Sequence, residues 1–246
     1  TMKLKSIGPD FLLLLLATLF FGAAGGIFQS TLNNYLADVH ALDASSRGWI
    51  ELPRELPGFL ILFVSAALLT LMRETRMAAV AMLLTAAGAL GLGFLARDTV
   101  LLVVFIALWS LGDHIIFAVE SPIGLKLAKK GAEGRRLGQL GAARNVGGIL
   151  GGGGLVLLAS MLGDRYDIFY AIAAVSAFLA GLCYFRLRVG KGEVRSNRIV
   201  FKKKYSIFYA ISALFGVRKQ IFLAFGGWVL VTIHGVAIET IALLLF

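Results

Sequence analysis

Six apolar runs, at 11–36, 50–72, 77–96, 99–127, 137–162 and 168–187, follow one another with only short polar breaks. A helix needs about 20 apolar residues to cross the hydrocarbon core of a bilayer, so each run has roughly the length of one span. A seventh run, 205–233, is interrupted at its centre by Arg218, Lys219 and Gln220, and an eighth starts at Val236 and is cut off at Phe246. Strands of a membrane barrel would alternate over about 10 residues, and these runs do not. The predicted fold is therefore all-α and polytopic. Composition agrees, with 15% charged residues and 59% hydrophobic ones, where a soluble domain carries about 25% charged. Lys3 and Lys5 ahead of the first run imitate a signal peptide. The run is long for that role and lacks a clear small-residue cleavage site before Gln29, so it reads as the first membrane helix.

The net charge is +10, which in a soluble chain would suggest nucleic acid. No nucleic-acid motif or aromatic-and-basic cluster accompanies it, so no nucleic-acid partner is expected. The positions of the charges explain them better. Lys3, Lys5, Arg73, Arg76 and the basic stretches at 126–136 and 186–204 all fall at one set of alternate helix ends, whereas Arg47, Arg97 and Arg165 are the cations between helices at the other set. Positive loops stay inside, which predicts a cytoplasmic N-terminus in an inner, cytoplasmic membrane. Cys183 stands alone in an apolar run and reads as helix filler, so neither a disulfide framework nor a metal cluster is expected, and no cofactor. The expected organisation is a six-helix lobe over 1–187, a basic cytoplasmic linker over 188–204, and the truncated start of a C-terminal lobe over 205–246.

The junction of the fourth and fifth runs has Pro122 near a helix end, a short basic loop containing Gly134-Arg135, and then a glycine-rich helix. With Gly216-Val217-Arg218-Lys219-Gln220 in the seventh run, this resembles the major facilitator superfamily of transporters. The loop after the second run keeps Arg73 and Arg76 of that family's signature but not its glycines and aspartate. The resemblance implies a twelve-helix permease whose first half, with helix seven and the start of helix eight, is present here. It also implies a central cavity lined by helices one, four and seven.

Ionisable groups inside a membrane are costly and mark function by default. Asp113 and His114 fall near mid-span in the fourth run, and Glu120 shares a helical face with Asp113, with Phe117 between them. Asp113 and His114 are candidates for coupling or substrate binding. Glu120 and Arg144, at similar depths in the fourth and fifth runs, are expected to pair as a gate or a structural tie. Arg218 and Lys219 face the cavity if helix seven starts near Tyr205, and are interfacial if it starts near Ile221. Gln29, Asn33 and Asn34 of the first run suit hydrogen bonding to a polar solute, and Glu51, Arg54 and Glu55 mark an outer mouth. Gly147, Gly148, Gly151 and Gly152 form overlapping small-residue pairs that suit close helix packing, including one lobe sliding on another.

The expected function is a monomeric secondary transporter that moves a small solute by alternating access, coupled to a proton or another ion. Of the rivals, a seven-helix photoreceptor would use a lysine such as Lys219 but would start on the other side of the membrane. An enzyme would need a catalytic constellation, and none is visible.

Overall fold

The computed structural model describes residues 8–189, 205–207, 210, 211, 214 and 225–245, except for the side chains at 62–64, 66, 67 and 70. Among the described residues there are eight α-helices. They are α1 (Pro9–Asp38), α2 (Ala44–Leu71), α3 (Glu74–Phe94), α4 (Thr99–Lys126), α5 (Glu133–Leu162), α6 (Tyr166–Arg186), α7 (Gly227–His234) and α8 (Ile238–Leu245). Five of them, α1, α3, α4, α5 and α6, are long and apolar enough to cross a membrane. The expected seventh span lies partly outside the described residues, as does most of the expected linker at 188–204.

The helix ends follow local chemistry. Pro9 opens α1, where a missing N–H costs nothing. The carboxylates of Asp43 and Asp98 accept from Ser46 N–H at 2.7 Å and Leu101 N–H at 2.9 Å, capping α2 and α4. These amide bonds hold the Asp43 carboxyl below the usual carboxylate range. Gly163 (φ 66°) closes α5, and Gly235 (φ 60°) turns the chain between α7 and α8 in a left-handed conformation that a Cβ would oppose. The cap at Asp43 starts α2 six residues ahead of its apolar run, so Arg47 is helical rather than a loop residue.

Packing does not follow chain order. α1 lies against α5 and α6, α3 against α4 and α6, and α2 against α4. Short loops commonly join antiparallel neighbours, yet α2 scarcely touches α3, and α4 meets α5 only lightly. A short loop fixes the distance between two helix ends but not which faces can approach. Glycine decides that here. A Cβ on Gly22 or Gly26 of α1 would run into the backbone carbonyl of Arg144 or Gly148, and one on Gly147 or Gly151 of α5 into that of Leu19 or Ala23. The two backbones thus touch along a seam, and the glycine face expected to slide against a second lobe is used inside the first. Gly152 is also buried.

Gly147→Ala should therefore cost about 1–3 kcal/mol through overpacking. Gly153→Ala, on the open side of the same helix with nothing within 4 Å, should gain about 0.5–1 kcal/mol from helix propensity. Thermal unfolding in detergent would compare the two, and equal shifts would count against the seam.

Candidate functional site

Two polar networks are embedded in the bundle, and Asp113 lies between them. The first is centred on Glu120, only 4% exposed. Its carboxylate forms an ion pair with Arg144 of α5, so the two expected partners are in direct contact. The hydroxyl of Thr18 (α1) donates to Glu120 Oε1 at 2.9 Å, and that of Tyr184 (α6) donates to the same oxygen at 3.2 Å. Four helices thus converge on one carboxylate, which is how a buried charge becomes tolerable. The Arg144 guanidinium also lies over the rings of Phe21 and Phe117, 5.2 Å and 4.8 Å from their centroids. Such placement favours a cation. Arg144 Nε is buried without a hydrogen-bond partner.

The second network joins α1, α2 and α4. Arg47, 2% exposed, pairs with Glu51 and donates from Nε to Asn33 Oδ1 at 3.2 Å. Arg54 reaches Glu51 at 2.7 Å and Glu55 at 3.2 Å, and His114 Nε2 lies 3.8 Å from Glu55 Oε2. Pro53 and Pro57 interrupt the bonding of α2, and in that stretch the Arg54 carbonyl accepts from the Ser110 hydroxyl of α4. Gly58 leaves the slot for the imidazole, since a Cβ there would sit 2.5 Å from His114 Nε2. Glu51, Arg54 and Glu55, the residues expected at an outer mouth, form a partly buried ionic ladder.

Asp113 is half-buried, and the ionisable groups nearest to it include His114, Arg144, Arg54 and Glu55, drawn from both networks. Phe117, on the same face, is 50% exposed and meets Phe21 edge-on at 5.8 Å. Gln29 is exposed, and Gly25 one turn before it has nothing within 4 Å. Asn33 and Asn34, by contrast, are buried. Asn33 lies where a Cβ on Gly227 of α7 would be 2.5 Å from its Nδ2, and Asn34 Nδ2 donates to the Val236 carbonyl at 3.1 Å. Asn34 thus ties α1 to the turn between α7 and α8, and Asn33 lies against the start of α7. Arg218 and Lys219 lie outside the described residues.

Sequence reasoning missed Thr18, Tyr184, Ser110 and the burial of Arg47. A single hydroxyl in an apolar helix usually bonds its own backbone, as Thr31 and Thr85 do here, so nothing singled out Thr18. An arginine at a helix start looks like an interfacial residue until its partners are known.

No protein-family profile matches the chain, and no curated protein matches it. The fold itself defines the class: an all-helical, multi-pass membrane protein with buried ionic networks between its helices.

Proposed function

We propose that this chain is the first lobe, with the beginning of a second, of a secondary transporter of the major facilitator type. It would carry a small solute through the inner membrane by alternating access coupled to a cation gradient, with its N-terminus in the cytoplasm. The observation that carries this reading is charge balance. Arg47 and Arg54 are matched by Glu51 and Glu55, and Arg144 by Glu120. Among the described residues of these networks, Asp113 is the carboxylate without an ion-pair partner, and such a carboxylate in a low-dielectric region takes up a proton or another cation. Its position between the two networks suits an acceptor whose loading is felt by both. Gln29 and Phe117, exposed on the neighbouring surface of α1 and α4, are the proposed solute contacts, and Arg218 and Lys219 would join them from helix seven.

Contacts of α7 and α8 with α1 and α5 support a closed state at the end where α1 finishes. There Asn33 and Asn34 act as closure contacts and not as solute ligands.

The test uses proteoliposomes holding a pH-sensitive dye and a panel of small solutes. At least one solute should drive proton movement, and Asp113→Asn should abolish it, a loss of tenfold or more, while solute exchange without a gradient persists. Undiminished proton movement in Asp113→Asn would remove that residue from the mechanism.

A further inference from the structure

Where α1 and α3 end and α6 begins, a cleft of about 360 Å³ opens, lined by Tyr35, His40, Phe94, Arg97, Asp164 and Tyr166 among others. Its aromatic wall is fixed. The Tyr35 hydroxyl donates to the Leu92 carbonyl at 2.7 Å, and that of Tyr166 to Asp38 Oδ2 at 2.5 Å. The two rings meet edge-on at 5.4 Å. Tyr35 and Tyr166 are only 3% and 6% exposed, so they hold the wall rigid and leave the chemistry of the cleft to other side chains.

Two opposite charges line the same cleft without being used. Asp167 is held by Arg165 at 2.8 Å. Among the described residues, the side chains of Arg97 and Asp164 form neither a hydrogen bond nor an ion pair. Asp164 is pushed above the ordinary carboxylate range by partial desolvation and by Asp38 and Glu239 nearby, so a cation beside it would be favoured. His40 is shifted the other way by its burial, against the pull of Asp98, and stays neutral near pH 7. It therefore adds no competing positive charge. Val39, Phe94 and Leu95, each about half exposed, form an apolar lip at this end of three apolar helices. In a membrane-spanning bundle the ends of apolar helices lie near the depth at which headgroups meet acyl chains.

We propose that this cleft binds a zwitterion bearing a phosphate and an ammonium group, with Arg97 on the phosphate and Asp164 on the ammonium. A carboxylate pairs with an ammonium ion, and a guanidinium recognises phosphate. A phosphatidylethanolamine headgroup and free phosphoethanolamine share this chemistry, and the apolar lip favours the lipid. The site is separate from the Asp113 region and does not depend on the transport reading.

Thermal unfolding of the detergent-purified protein tests it, with phosphatidylethanolamine, phosphatidylglycerol or soluble phosphoethanolamine added. Phosphatidylethanolamine should raise Tm by on the order of 5 °C, and phosphatidylglycerol, which lacks the ammonium, should not. Arg97→Gln and Asp164→Asn, both on exposed residues, should each remove most of the gain without lowering the lipid-free Tm. An equal gain from soluble phosphoethanolamine would support the site and assign the free zwitterion as its occupant; no gain from it, with the lipid effect intact, assigns the lipid. Equal gains from both lipids, or a gain that survives in both variants, would overturn the proposal.

Discussion

Glu120→Ala should lower the melting temperature of the purified protein by on the order of 10 °C. Removing one partner of a buried ion pair costs about 3–5 kcal/mol, and each kcal/mol is about 2–4 °C for a chain of this size. The loss falls at the upper end for a specific reason. Arg144 already has its Nε buried without a partner, and its carbonyl is pressed against Gly22, so its backbone cannot retreat. The pairing is separable from general damage through a double variant. Glu120→Leu with Arg144→Met removes both charges and should recover most of the stability. It should still fall short by about 1–3 kcal/mol, because the Thr18 and Tyr184 hydroxyls lose their acceptor. A double variant no more stable than Glu120→Ala would show that the ion pair is not what these helices converge upon.

Arg47→Leu is the second large effect, at about 3 kcal/mol. Glu51 keeps Arg54, which limits the damage, but the ladder is left with an excess carboxylate and Asn33 loses its donor. The loss should be felt beyond α2. Asn33 abuts Gly227, so the amides of α7 should exchange with deuterium faster in this variant, while those of α3, remote from the ladder, hold their rates. Unchanged exchange in α7 would separate the ladder from the α7 contact.

The five long apolar helices were legible because hydropathy measures the surrounding solvent directly, and α4 begins at Thr99, where its apolar run begins. The start of α2 was not, since a cap at Asp43 extends a helix through polar residues that hydropathy excludes. Glu120 and Arg144 could be paired by depth alone, because helical rise converts sequence separation into distance. The companions of Glu120 could not. Thr18 and Tyr184 reach it from α1 and α6, and helix order in space follows glycine faces that the loops do not encode. His114 was marked for its chemistry, but the slot that receives it depends on Gly58, far away in the chain. Arg47 was read by its place at a helix end, and its burial arises only once Asn33 and Glu51 stand beside it.

The seam between α1 and α5 also governs how this sequence can change over generations. Where two side chains oppose each other, a larger residue on one side can be offset by a smaller one on the other. At Gly22, Gly26, Gly147 and Gly151 the opposing group is a backbone carbonyl, which no substitution can shrink. Compensation would have to move a whole helix, and with it Arg144 and everything Glu120 gathers. These four positions should therefore accept almost nothing but glycine in deep mutational scanning, even though none of them carries a side chain that could do chemistry.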